Sequence, residues 1–315
     1  MSTSDGVELY AEVTGAADAP VAVVYVHGWC LSSEIFRYQR QALADLGVNA
    51  RVISYDVRGH ARSGRCPTGS TTIVKLADDL RTVLDELCAD VPAILVGHSL
   101  GGITIMELAE RHPDLFGDAT GRDGAGRDGA GTAGAGRVAG VVLVNTSAGE
   151  LDTVTLGFPA AVAGRVKNHL LRELTRRHTW HLRRGDGRVR RRFTDAAIAR
   201  YILFGRGAAR PDVRLGRRLI ATTHPGVVEG FFTELMAHDR YAALVGLAAV
   251  PVRILAGGRD RLTPPVHSRR LADALPHARL AVFPGVGHMI PLERSDELAT
   301  EVALLARQAS KVPAS

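Results

Sequence analysis

Short apolar runs recur along the chain and alternate with stretches in which apolar residues return every three or four positions. Runs of about four to eight apolar, often β-branched residues indicate buried strands, and the wider spacing is typical of one face of a helix. Strands are predicted at residues 7–13, 21–26, 51–55, 93–96, 138–144, 252–256 and 279–283. Helices are predicted at residues 34–46, 71–88, 103–111 and 295–308. This alternation predicts the α/β class, with a doubly wound, mostly parallel sheet.

Two stretches interrupt the alternation of strands and helices. Residues 117–136 repeat the letters Gly-Arg-Asp-Gly-Ala and offer little to bury, so we expect a flexible surface loop. Residues 148–240 are too long for a simple crossover and contain helix-like patterns at 161–177 and 194–204. We interpret 148–240 as a helical cap over the carboxyl edge of the sheet. The α/β core then consists of residues 1–147 and 241–315.

The segment Gly97-His98-Ser99-Leu100-Gly101 lies between an apolar run and a helix-like stretch. A sharp turn from strand to helix strains its central residue, and the small glycines on either side avoid a clash. Such a turn presents its serine hydroxyl at the carboxyl edge of the sheet, where open α/β sheets bind ligands. Ser99 is therefore the candidate nucleophile.

A serine hydroxyl needs a base to remove its proton and a third group to orient that base. Asp260 follows the strand at 252–256, and His288 follows the strand at 279–283. The chain order Ser, Asp, His is the order found in sheets of this type. Taken singly, Asp260 also fits a turn-capping residue and His288 a surface histidine. Their joint placement favours a triad in which Asp260 orients His288, which acts as general base and acid.

Acyl transfer also needs N–H donors for the negatively charged oxygen of the tetrahedral intermediate. Gly28 and Trp29 follow the strand at 21–26, where a glycine lets the backbone turn towards the site. We expect the backbone N–H groups of Trp29 and Leu100 to form this oxyanion hole. Gly28, Trp29 and His98 are also predicted to contact substrate.

The chain resembles the α/β-hydrolase fold superfamily, in its branch of serine esterases, cofactor-free perhydrolases and carbon–carbon bond hydrolases. The matching segments run in family order from one end of the chain to the other: 27–29, 56–63, 97–102, 143–146, 257–260 and 287–288. The resemblance implies a sheet of about eight strands with an inserted cap. It also implies that Asp56, Arg58 and Gly59 belong to a structural loop near the site. A serine at position 99, where haloalkane dehalogenases and epoxide hydrolases have aspartate, argues against those two classes.

The sequence therefore predicts a serine hydrolase that cleaves a carboxylic ester through an acyl-enzyme at Ser99, with no metal and no organic cofactor. Apolar residues of the predicted cap favour an apolar, small-molecule substrate. Two alternatives use the same triad: cleavage of a carbon–carbon bond and formation of peracids. A third, of a different class, is a catalytically silent member of the fold that binds a ligand or partner.

Charge is concentrated in the predicted cap. The chain has 39 Lys and Arg against 33 Asp and Glu, and residues 148–240 contain 18 of the former and 9 of the latter. The densest basic run, 183–192, fits either a solvated loop or attraction to anionic lipid head groups. Binding of nucleic acid is disfavoured because no aromatic platform or reader motif accompanies the charge.

Three scattered cysteines, Cys30, Cys66 and Cys88, form neither a disulfide framework nor a metal-ligand pattern. No apolar run is long enough to span a bilayer, and the first ten residues lack the pattern of a secretory signal. We therefore expect a cytoplasmic protein with free thiols. The oligomeric state does not follow from the sequence.

Overall fold

A computed structural model describes residues 1–117, 136–169, 171–172 and 199–311. Their strands form one sheet in the order β1-β3-β2-β4-β5-β6-β7. Only β1 is antiparallel to its neighbour, and the other six strands are parallel. In chain order the strands are Ala11–Thr14, Ala22–Val26, Arg51–Tyr55, Ala93–His98, Val138–Val144, Val252–Gly257 and Arg279–Phe283. The predicted doubly wound, mostly parallel sheet is confirmed.

The described residues contain seven strands, where the resemblance implied about eight. Near the N-terminus, a turn in which Gly6 has a φ of +80° is followed by a single bridge between Ser2 and Glu8. The predicted strand 7–13 begins later, at Ala11, although Val7 is buried, because residues 7–9 bond to residues 1–3 and not to β3.

The helices flank the sheet. In chain order they include α1 Arg37–Asp45, α2 Ile73–Leu87, α3 Leu100–Arg111, α4 Arg210–Thr222, α5 Pro225–Ala237, α6 Pro265–Ala274 and α7 Ser295–Ala309. The bounds of α1, α2, α3 and α7 lie close to the four predicted helices, whereas α4, α5 and α6 were not predicted as separate helices. The predicted helix 34–46 is divided, because residues 33–36 form a 3₁₀ turn before α1. The hydroxyl of Thr72 caps α2 by accepting a hydrogen bond from the Lys75 N–H at 3.2 Å.

The core has two parts, one on each face of the sheet. Successive side chains of a strand point to opposite faces, so Val24 and Leu95 pack on the side of α2 and α3. Val23 and Val96 pack on the other side, against α1 and α7. Because the central strands are covered on both faces, their carboxyl ends are held rigidly, and the functional loops leave from these ends.

Between β5 and β6, the described α-helical residues include 160–169, 199–203, α4 and α5. The rest of the predicted helices 161–177 and 194–204, apart from residues 171–172 and 204, lies outside the described residues. So do the basic run 183–192 and almost all of the predicted loop 117–136. Helix α5 covers the loops that follow β2 and β3: the Phe232 ring lies 5.9 Å from the Trp29 ring, and the Phe231 ring lies 5.8 Å from the His60 ring. Within the described part of the chain, no helix is long and apolar enough to cross a membrane.

Candidate active site

Ser99 lies at the sharp turn between β4 and α3. Its backbone has φ 54° and ψ −118°, a region that non-glycine residues rarely occupy. A Cβ at Gly97 would lie 2.6 Å from the carbonyl carbon of Gly101, and a Cβ at Gly101 would lie 2.1 Å from the Val26 carbonyl oxygen. Glycine is therefore required on both sides of Ser99, which is the strained turn that the sequence predicts.

Asp260 and His288 meet at the same edge of the sheet, beyond the ends of β6 and β7. The His288 Nδ1–H donates a hydrogen bond of 2.7 Å to Asp260 Oδ2, and both side chains are buried. Asp260 Oδ1 accepts hydrogen bonds from the backbone N–H groups of Leu262 and Thr263, at 2.8 and 3.0 Å. The Thr263 hydroxyl donates to Asp260 Oδ2 at 2.7 Å. These bonds hold the carboxylate facing the imidazole and leave Nε2 of His288 for another partner.

Residue 98 connects the serine turn to the His288 loop. The His98 Nε2–H donates to the His288 carbonyl oxygen at 2.8 Å, and the two ring centroids are 4.8 Å apart. The Ser99 hydroxyl makes no hydrogen bond to the His288 ring in the part of the chain that the structure describes. Such bonds are often long in enzymes without substrate and tighten when substrate binds. The three predicted catalytic residues thus lie beyond the carboxyl ends of β4, β6 and β7, at one rim of the sheet.

The turn that follows β2 lies against the nucleophile. A Cβ at Gly28 would lie 3.0 Å from Ser99 Cβ and 3.1 Å from His98 Nδ1, so a larger residue there would have to displace the turn at Ser99. Leu100 is the first residue of α3, where N–H groups have no acceptor within the helix. The backbone N–H of Trp29 likewise donates to no acceptor among the described residues. Neither of the two predicted oxyanion donors therefore has an acceptor within the part of the chain that the structure describes.

Two buried histidines hold the turn around Trp29. His60 Nε2 accepts from the Cys30 N–H at 3.0 Å, and His27 Nε2 accepts from the Val57 N–H at 2.9 Å. Each ring therefore carries its proton on Nδ1, which bonds to a backbone carbonyl. Burial lowers the pKa of His27 and lowers that of His60 to about 3. The two rings stay neutral and fix the backbone next to the oxyanion donor.

His98 is placed differently from its predicted role as a substrate contact. Its side chain is fully buried, and its Nε2–H is used by the His288 carbonyl. Burial lowers the pKa of His98, and His288 adds to the effect. Contact with substrate remains a prediction for His98, and its observed contact supports the loop that contains His288.

Three residues that were not predicted as site residues hold the His288 loop. Leu203 accepts the His288 N–H at 2.8 Å through its carbonyl oxygen. Glu293 accepts the N–H groups of Gly205 and Gly287 at 2.8 and 3.0 Å, and burial raises its pKa. Asn145 binds two carbonyl oxygens of the same loop. Asn145 had a signal in the sequence, because it is a polar residue directly after a buried strand.

No group of three or more metal-ligating side chains occurs among the described residues.

A second serine–histidine pair is formed by Ser147 and His267. The Ser147 hydroxyl oxygen is 2.9 Å from His267 Nδ1. Ser147 also donates to the Gly149 carbonyl oxygen at 2.5 Å and is fully buried. Its hydroxyl is thus already committed, in contrast to that of Ser99.

Comparison with known proteins agrees with the fold described above. A family model described as alpha/beta hydrolase fold matches residues 21–295. Over 313 residues the chain is 24% identical to a bifunctional esterase/perhydrolase of Acinetobacter calcoaceticus, which covers 98% of this chain and 99% of that protein. It is 33% identical over 170 residues to a putative non-heme haloperoxidase of Mycobacterium phage D29, which is 53% of this chain and only half of that relative's length.

Solved structures show the same fold. A thermophilic esterase from Thermogutta terrifontis, with malate bound, superimposes with a TM-score of 0.71 at 23% identity, covering 98% of this chain and 97% of that one. A hydrolase from Pseudomonas aeruginosa PA01 superimposes with a TM-score of 0.68 at 25% identity, covering 97% and 96%.

Proposed function

Because the chain belongs to the alpha/beta hydrolase fold family, we propose that it hydrolyses carboxylic esters through an acyl-enzyme at Ser99. The observation that most supports this function is the strained turn at Ser99 at the same rim as the hydrogen-bonded pair of His288 and Asp260. Strain in a serine turn is expected where the hydroxyl must be exposed to a reacting carbonyl.

In the proposed reaction, His288 Nε2 takes the proton of the Ser99 hydroxyl while the Ser99 oxygen attacks the ester carbonyl carbon. The carbonyl oxygen becomes negative and accepts hydrogen bonds from the N–H groups of Trp29 and Leu100. When the carbon–oxygen bond to the alcohol breaks, His288 gives the proton to the leaving alcohol. Water then attacks the acyl-enzyme with His288 as base, which releases the acid and restores Ser99.

Peracid formation is the second candidate. Support comes from the relative aligned over nearly all of both chains, which is named an esterase/perhydrolase. Hydrogen peroxide would replace water as the second nucleophile and give a peracid from the same acyl-enzyme. No cofactor is required for either reaction.

We also propose that residues 148–240 form a cap on a core of residues 1–147 and 241–315. Contacts of α5 with the loops after β2 and β3 support this division. An apolar ester substrate, contact of the basic cap with anionic lipid and a cytoplasmic location remain predictions from the sequence.

A series of p-nitrophenyl esters of increasing acyl length tests the proposed function. We expect turnover by the wild type and a fall in kcat of about 10⁴-fold or more in Ser99→Ala, because no other group supplies the nucleophile. Ser147→Ala is the matched control: it removes a hydroxyl beside another histidine, and the folded variant should keep its turnover.

Three outcomes would redirect the proposal. Equal loss of activity in Ser99→Ala and Ser147→Ala would contradict the assignment of the nucleophile. Faster peracid formation from acetate and hydrogen peroxide than ester cleavage would favour the second candidate. Negligible turnover of every ester by folded wild type would remove the proposed function and favour carbon–carbon bond cleavage or a silent member of the fold.

A further inference from the structure

The last residue of β5 and the two residues after it lie between the segments that hold the three proposed catalytic side chains. The Ser99 N–H donates to the Val144 carbonyl oxygen at 2.9 Å. The Thr146 hydroxyl donates to the Ser99 carbonyl oxygen at 2.8 Å. The backbone of Ser99 is therefore fixed from both sides by the neighbours of Asn145.

Asn145 itself binds the loops of the other two residues. Its Nδ2 group donates to the carbonyl oxygens of Gly287 and His288, at 3.0 and 2.7 Å. Its Oδ1 accepts the N–H of Gly257 at 2.7 Å. The side chain is fully buried, and both N–H donors and the oxygen of its amide are used.

The hydrogen bonds of Asn145 connect the loop that contains Asp260 to the loop that contains His288. The Asp260 N–H donates to the Gly257 carbonyl oxygen at 3.0 Å, so the Gly257 peptide sets where the acid loop begins. A Cβ at Gly257 would lie 2.0 Å from the Gly287 carbonyl oxygen, which means that the two loops touch without space for another group. A displaced Asn145 amide would therefore move both loops.

Asparagine fits this position for two reasons. The side chain must accept one hydrogen bond from an N–H and donate two hydrogen bonds to carbonyl oxygens, and an aspartate carboxylate has no N–H to donate. Asn145 also has a φ of +44°, in the left-handed region that asparagine tolerates better than most residues.

We infer that Asn145 is a positioning residue that holds the Ser99, Asp260 and His288 segments in one arrangement. This inference rests on the proposed function of those three residues. Asn145 has no bond to the Ser99 hydroxyl or to the His288 ring among the described residues, so its effect passes through the backbone.

Asn145→Asp tests this role, because it keeps the shape of the side chain and replaces its two donors by an acceptor that repels the carbonyl oxygens of residues 287 and 288. We expect kcat for a p-nitrophenyl ester to fall by about 100-fold, the effect of a misplacement on the order of 1 Å, with KM unchanged. Asn145→Ser, which retains one donor, should give an intermediate kcat and takes the place of Asn145→Asp if that variant does not fold.

Gln39→Glu is the matched control. Gln39 is also a fully buried amide, and its Nε2 donates to the carbonyl oxygens of Pro291 and Ser295 at 2.8 and 3.2 Å, but it lies on α1. It should lower stability and leave kcat of the folded protein near that of the wild type. An equal fall in kcat in both variants, or a wild-type kcat in folded Asn145→Asp, would overturn the inference.

The wild type and Ser99→Ala are measured in the same assay. A wild type without turnover, or a Ser99→Ala variant with full turnover, would contradict the proposed function and overturn the inference with it. A wild type that depends on Ser99, together with an unaffected Asn145→Asp, would overturn the inference alone.

Discussion

At the scale of single residues, buried polar side chains fix the backbone of the candidate site, whereas the Ser99 hydroxyl has no hydrogen-bond partner among the described residues. His27 and His60 are fully buried, and each accepts one backbone N–H and donates to one backbone carbonyl. Such a ring serves both bonds only when it is neutral, because a charged imidazole has no acceptor. The conformation of the turn that contains Trp29 therefore depends on His27 and His60 remaining neutral, although neither belongs to the proposed triad.

This requirement predicts how stability depends on pH. Burial lowers the pKa of His60 to about 3 from 6.5. Between these values the unfolded chain binds a proton that the folded chain does not, so the free energy of unfolding falls as pH falls. For His60 alone the loss between pH 7 and pH 5 is about 2 kcal/mol.

Urea unfolding of wild type and His60→Gln at pH 7 and pH 5 measures this loss. The variant has no imidazole at position 60, so its own decrease from pH 7 to pH 5 should be smaller by about 2 kcal/mol. The compared quantity is the change in the free energy of unfolding between pH 7 and pH 5 within each protein. A lower stability of the variant at pH 7 therefore does not affect the result. The same decrease in both proteins would contradict a neutral, buried His60.

Residue types in the sequence were enough to predict Ser99, Asp260 and His288 as candidates at one sheet edge, because each follows a strand whose apolar run is clear. They were not enough for Glu293 or Leu203. Glu293 lies in a helical turn whose spacing does not distinguish it from a surface acid. Leu203 acts through its backbone carbonyl oxygen. Because every residue type has this group, the identity of the residue does not predict the contact.

At the scale of elements, the turn between β4 and α3 depends on how closely it approaches β2. Gly101 packs against the end of β2, and a Cβ there would lie 2.1 Å from the Val26 carbonyl oxygen. That oxygen belongs to the backbone at the end of a central strand and cannot move aside as a flexible side chain would. The close approach also brings α3, and with it the Leu100 N–H, towards the turn that contains Gly28.

Gly101→Ala should therefore lower the free energy of unfolding by about 3 kcal/mol or more, because overpacking against a central strand shifts the backbone. Gly164→Ala is the control: residue 164 lies in a helical segment, and nothing lies within 4 Å of an added Cβ. This control should be neutral or gain up to about 1 kcal/mol. Chemical denaturation measures both, and equal stabilities for the two variants would contradict the packing at Gly101.

Strand positions followed from the sequence most closely where both faces are buried, since such strands are continuous apolar runs. The bounds of β3 and β5 match the predicted 51–55 and 138–144. The start of the edge strand β1 was predicted too early, because Val7 and Leu9 show the alternation of a strand but bond to residues 1–3 and not to β3.

At the scale of the whole molecule, three residues separated by 161 and 28 positions in the chain reach one edge because parallel strands end on the same side. The sequence alone predicts this meeting point, because each of the three residues follows a strand of a predicted parallel sheet. The cover of the site was less accessible to the sequence, since the contacts of α5 with Trp29 and His60 join residues about 170 to 200 positions apart without any motif.

The central claim is that Ser99 is activated by His288, and the rate at which a fluorophosphonate labels the protein tests it most directly. Peptide mapping should place one adduct on Ser99 in the wild type, and the labelling rate should fall by about 10³-fold or more in folded His288→Gln, which cannot accept the serine proton. An adduct on another residue, no adduct on folded wild type, or an equal labelling rate in His288→Gln would contradict the claim.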